Sequence, residues 1–125
     1  MISVDLSSRV PIYRQVEDRI MELILLGVWP EGTQLPSVRS LALELGTNPN
    51  TIQKAYQELE SQGVIRSAAG RGSFAAGREA ARKNLRAQAE SSLREAAQKA
   101  LLAGLSREEA ARVLDEVWKG EKDHD

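Results

Sequence analysis

The chain has 125 residues, 42% of them hydrophobic and 28% charged, with a formal net charge of -1; that is enough for one small core with an appendage, not for two full domains. There is no cysteine, no apolar run near the roughly 18 residues that cross a bilayer, and the start "MISVDLSSRV" lacks a basic stretch leading into an apolar one, so the expected protein is cytoplasmic, without disulfides, membrane contact or secretory signal. A balance so close to neutral excludes a uniformly basic coat and leaves nucleic-acid binding to local patches, of which Val64 to Arg86 is one, with Arg66, Arg71, Arg78, Arg82, Lys83 and Arg86 against Glu79 alone.

"VPIYRQVEDRIMELILLG" places Ile12, Val16, Ile20, Leu23 and Ile24 on one stripe, with Pro11 near the first turn and Gly27 past the end, which predicts a first helix. "VWPEGTQLP" reads as a turn-rich connector in which Thr33 to Leu35 add at most a very short strand. A second helix follows, with Ser37 as N-cap, Val38, Leu41, Ala42 and Leu45 on its apolar face and Gly46 as its stop. Asn48 then caps a third helix, with Pro49 at its first position, Ile52, Ala55, Tyr56 and Leu59 inward, and Gly63 at its end. Two helices joined by so short a glycine turn are a helix-turn-helix signature. "VIRSAAGRGSFAA" switches to a basic hairpin around Gly70, Arg71 and Gly72, which completes the order of a winged helix ending near Ala76.

From Arg78 the composition turns to Ala, Arg, Glu and Gln, with Leu85, Ala89, Leu93, Ala96 and Ala100 at helical spacing up to Gly104. Ser106 and Glu109 form a capping box, and Ala110, Val113, Leu114, Val117 and Trp118 make an apolar face running to Gly120. The expected fold is therefore mainly α (α+β): a winged helix-turn-helix over residues 1–77 with a two-stranded wing, then a two-helix arm over 78–125 ending in a disordered acidic tail. The arm has too little of its own domain to lie against, so dimerisation through Leu85, Ala89, Leu93, Ala96, Ala100, Leu114, Val117 and Trp118 is the economical burial; folding back on the winged helix of the same chain is the alternative.

The third helix offers Asn50, Thr51, Gln53, Lys54 and Gln57 on its open edge. An α-helix fits the major groove of DNA, where side-chain amides match the edge of adenine, lysine reaches guanine or phosphate, and the N-terminal N–H groups hold a phosphate. Taken alone, the same residues also read as caps and solvated polar groups. Arg39 and Ser37 at the start of the second helix are placed to meet the DNA backbone, with a surface ion pair to Glu44 as the bland reading for Arg39. Gly70 and Arg71 at the wing tip suit an adjacent minor groove. No catalytic set is present: the lone histidine, His124, lies in a charged tail where Asp123 to Asp125 read as a frayed end, so neither an enzyme, a metal site nor a cofactor is expected. The rival to a DNA-binding module is a winged helix used as a protein adaptor.

Residues 11 to 76 resemble the GntR transcriptional regulators. The family's "G-x-x-L-P-S-x-R-x-L-A" stands here as Gly32, Leu35, Pro36, Ser37, Arg39, Leu41 and Ala42, and its "N-x-x-T-V-x-K-A-Y-x-x-L-E" helix as Asn48, Thr51, Lys54, Ala55, Tyr56, Leu59 and Glu60. The wing pattern "R-G-x-G-x-F" appears as "AGRGSF", with Ala69 where arginine is common. The resemblance implies DNA contacts from Arg39, Thr51, Gln53, Lys54, Gly70 and Arg71, and an operator of its own, since Pro49 and Asn50 occupy the stretch where many members carry another arginine. "PIYRQV" and the third helix look most like the YtrA-type subfamily. That implies a homodimeric repressor of a pseudo-palindromic operator, often one of an ABC transporter operon, with no large effector domain. Any small-molecule effector would bind between the helical arms or at their junction with the winged helix, and no residue set names its chemistry.

Overall fold

A computed structural model describes residues 2–123. Its elements are α1 (Ile12–Leu25), α2 (Val38–Leu45), α3 (Pro49–Ser61), β1 (Ile65–Ala68), β2 (Gly72–Ala75), α4 (Arg78–Leu102) and α5 (Arg107–Asp123). This is a mainly helical winged helix-turn-helix with one two-stranded antiparallel sheet, followed by two further helices.

α1 begins at Pro11, whose fixed φ and missing N–H suit a helix start, and whose carbonyl accepts from the N–H groups of Arg14 and Gln15. The stripe read from the sequence closes inward: Val16, Ile20, Leu23 and Ile24 are buried and Ile12 half-buried. α3 is the hub of the unit, packing on α1, α2 and β1 through Ile52, Ala55, Tyr56 and Leu59. Ile52 and Leu59 taken out of water each contribute about 1.5–3 kcal/mol, which is why the helix is held by its apolar face rather than by propensity. The Ser37 hydroxyl accepts from the Ser40 N–H (3.0 Å) and the Asn48 side chain from the Asn50 N–H (2.8 Å), so both expected N-caps form. Gly46, at φ +65°, lets the chain leave α2 while the Thr47 N–H bonds back to the Ala42 carbonyl (2.9 Å). Only three residues then separate α2 from α3.

In the wing, Ile65 pairs with Ala75, Arg66 with Phe74, Ser67 with Ser73 and Ala68 with Gly72. The connector lies along β2: the Gly32 N–H donates to the Ala75 carbonyl, the Ala75 N–H to Thr33, the Leu35 N–H to Ser73, and Gln34 bridges Phe74. Trp29, which reads only as part of a connector, is 8% exposed and belongs to the core.

Residues up to Leu85 form one compact unit and those from Arg86 onward another. The sequence changes character earlier, at 77 and 78, yet the first turn of α4 stays with the first unit because Ala81 is buried in its core and Arg78 Nε donates to the Leu25 carbonyl at 3.0 Å. In the second unit the capping box forms in both directions, Glu109 N–H to Ser106 Oγ (3.1 Å) and Ser106 N–H to Glu109 Oε1 (3.0 Å). The helix expected to stop at Gly120 instead runs to Asp123. A glycine inside a helix costs only about 1 kcal/mol, and Lys119, Glu121 and Lys122 around it are good helix formers. His124 and Asp125, the end of the acidic tail, lie outside the described residues, and with them the expectation of disorder there.

Candidate nucleic-acid interface

α3 is two-sided. Its inward face is fixed by the core, so the residues between those positions must point elsewhere: Asn50, Gln53, Lys54 and Gln57 are exposed and Thr51 is half-buried. The N-terminal N–H groups are partly engaged, Asn50 with the Asn48 side chain and Thr51 with the Asn48 carbonyl (3.0 Å). No acidic residue lies in the first turn of α3, so the positive end of the helix dipole is left unopposed there.

Ser37 and Arg39 are both exposed at the start of α2. The Ser37 oxygen accepts the cap bond, which leaves its O–H free to donate outward. Arg39 makes no ion pair with Glu44; the ion pairs among the described residues join Arg19 to Glu22 (2.6 Å) and Arg66 to Glu31 (3.7 Å). The start of α2 is tied to α3 by the Tyr56 hydroxyl, which donates to the Pro36 carbonyl at 2.7 Å. Burial pushes that hydroxyl well above the ordinary tyrosine range, so it stays a donor.

At the wing tip Gly70 has φ +74° and Gly72 φ +111°, values that a residue with a Cβ rarely adopts. Arg71 between them is exposed. A cleft lined by Ser37, Val38, Tyr56, Arg71, Gly72 and Ser73 separates the start of α2 from the wing. Three polar or cationic features, the start of α2, the open edge of α3 and the wing tip, thus sit on one unit.

Two features escape a reading of spacing alone. The Lys54 ammonium stands 3.9 Å from the centre of the Tyr13 ring of α1, a cation–π contact that orients the lysine while it remains exposed. Sequence spacing carries no sign of it, because the partners belong to different helices. One turn further along the same two helices, Glu17 is only 6% exposed beside Glu58, and its Oε1 has no hydrogen-bond partner. Burial, then the hydrogen bond and the repulsion from Glu58, raise its carboxyl from the ordinary 4.5 to about 8. The dimerisation residues of the sequence reading are largely uncovered in the single chain: Leu85, Leu93, Leu114, Val117 and Trp118 are exposed, as are Ala89 and Ala96, and Ala100 is half-buried. No helix among the described residues is long and apolar enough to cross a membrane.

The family of bacterial regulatory proteins described as the gntR family matches residues 12–75. Among curated proteins, the chain is 47% identical over 74 residues to the HTH-type transcriptional repressor YtrA of Bacillus subtilis (strain 168), 59% of this chain and 57% of that protein. The chain spans little more than half the length of the curated relatives it matches, 57 to 60% for the first three. Among solved structures, a transcriptional regulator from Oenococcus oeni is 31% identical with a TM-score of 0.68, over 92% of this chain and 97% of that one. AraR(DBD), solved in complex with operator ORX1, is 29% identical with a TM-score of 0.55, over 59% of this chain and 94% of that one.

Proposed function

The chain belongs to the gntR family of bacterial regulatory proteins, a family of transcription regulators rather than enzymes, and we propose on that footing that it is a cytoplasmic, homodimeric repressor that binds a pseudo-palindromic operator. The observation that carries the reading is the open edge of α3: Asn50, Gln53, Lys54 and Gln57 face out on a helix whose other side is wholly committed to the core. In the proposed complex α3 enters the major groove with these residues at the bases. Ser37, Arg39 and the N-terminal N–H groups of α2 and α3 grip the flanking phosphates, and Arg71, presented by Gly70, enters the neighbouring minor groove. That AraR(DBD), a structural neighbour, was solved in complex with an operator supports operator DNA as the partner.

Repression is supported by the likeness to YtrA of Bacillus subtilis, itself a transcriptional repressor. Control of an ABC transporter operon is the narrower part of the proposal and rests on the YtrA-type resemblance. The exposed Leu93, Leu114, Val117 and Trp118 support dimerisation, since large apolar side chains at helical spacing gain free energy when a partner covers them.

Titration of duplex DNA from the promoter of the protein's own gene tests the core of the proposal. With three cations, Arg39, Lys54 and Arg71, brought by each of two protomers into the counterion atmosphere of the duplex, affinity should fall about a thousandfold between 50 and 200 mM salt and depend on sequence. Weak binding indifferent to sequence would point instead to a protein adaptor.

A further inference from the structure

The wing arginine is held by a residue outside the wing. The Arg71 N–H donates to the Ala68 carbonyl at 2.9 Å and closes the turn. On its other side, the Arg71 carbonyl accepts from Gln34 Nε2 at 2.8 Å. Gln34 is itself fixed: it bridges Phe74, and the next residue, Leu35, is buried with its N–H on the Ser73 carbonyl at 2.9 Å. The peptide units on both sides of Arg71 are therefore tied to the frame, while its side chain is exposed. Gly72 belongs to the same arrangement, because a Cβ there would stand 2.9 Å from Gln34 Nε2 and push the amide off.

We propose that Gln34 is a positioning residue for the wing contact: its amide holds the Arg71 carbonyl and so aims the Arg71 guanidinium at the nucleic acid, without Gln34 touching DNA. The inference rests on the DNA-binding reading above. A loop tip free to swing must be ordered when it enters a groove, and the lost freedom subtracts from affinity; a tip already tied loses less. The hydrogen bond is solvent-exposed, so its removal barely changes folding stability. A residue that merely stabilised the fold would lower affinity and thermal stability together, whatever occupied position 71.

The test is a double-mutant cycle on the full chain, using as probe the duplex that the wild-type protein selects from a randomised pool. Gln34→Met keeps the length of the side chain and removes the donor; Gln34→Ala is the second variant, and Arg71→Ala completes the cycle. Gln34→Met and Gln34→Ala should each weaken binding about fivefold with an unchanged unfolding temperature. In the Arg71→Ala background neither should weaken it further. An equal loss in both backgrounds, no loss from either variant, or no effect of Arg71→Ala on binding each overturns the inference. A wild-type protein that selects no duplex at all overturns the DNA-binding reading itself, a result distinguishable from the others.

Discussion

Glu17→Gln should make the winged helix more stable above neutral pH and flatten its response to pH. Glu17 lies between α1 and α3 at 6% exposure, with Glu58 beside it on α3, Asp18 adding negative charge on its own helix and Arg14 offsetting part of it. Its carboxyl titrates at about 8 in the folded chain against an ordinary 4.5. The sign follows: the fold holds a proton that the unfolded chain releases, so the stability carried by the protonated form is complete below pH 4.5, falls as pH rises, and is gone above about 8. The slope across that window is about 1.4 kcal/mol per pH unit, which sets a ceiling of about 5 kcal/mol. Water reaching the ionised pair lowers the effective figure to about 2–4 kcal/mol, still a large part of the roughly 5–15 kcal/mol that holds a domain together. Urea unfolding between pH 5 and 9, read by far-UV circular dichroism and by emission of the buried Trp29, measures it. The wild-type midpoint should drop steadily with pH while that of Glu17→Gln stays level. Parallel curves for the two proteins would refute the buried-proton argument.

Arg39→Ala should weaken binding to all duplexes about equally, because a phosphate contact carries no sequence information, whereas Gln53→Ala should change which duplex is preferred; competition binding against a panel of duplexes separates the two. Ser37→Ala removes the acceptor of the Ser40 N–H and should cost about 1 kcal/mol of stability in chemical denaturation. Trp118→Glu places a charge on the exposed face of α5 and should shift sedimentation towards monomer, with a weaker, shallower operator titration.

The helices of the first unit were legible because their signals are local. A cap, an apolar residue every three or four positions and a glycine stop all lie within one element, as Ser37, Leu41 and Gly46 show for α2. Glu17 was not legible, since it adjoins the stripe of Val16 and Ile20 and is buried only because α3 passes over that edge. Gln34 was hidden for a related reason: its partner Arg71 is 37 residues away, and no periodicity in a connector announces such a bond. Trp29 reads as punctuation beside Pro30, yet it is core. The run of α5 beyond Gly120 shows the limit of a stop signal whose glycine does not adopt a positive φ.

The four residues Gln34 to Ser37 explain how one compact unit holds in register the three groups proposed to meet DNA. Gln34 bonds the carbonyl of the wing arginine, Leu35 is sunk in the core and joins β2, the Pro36 carbonyl receives the Tyr56 hydroxyl of α3, and Ser37 caps α2 two residues before Arg39. Each bond taken singly contributes about 1 kcal/mol or less. Together they tie the backbone of the wing tip, α3 and the start of α2 to one frame, so in the proposed complex much of the backbone ordering that three loose elements would each require is met once, when the chain folds. The stretch through Leu35, Pro36 and Ser37 thus has a mechanical role in this chain: the buried leucine and the carbonyl before a capping serine fix the frame, and Gln34 ahead of them, on the inference above, holds the wing.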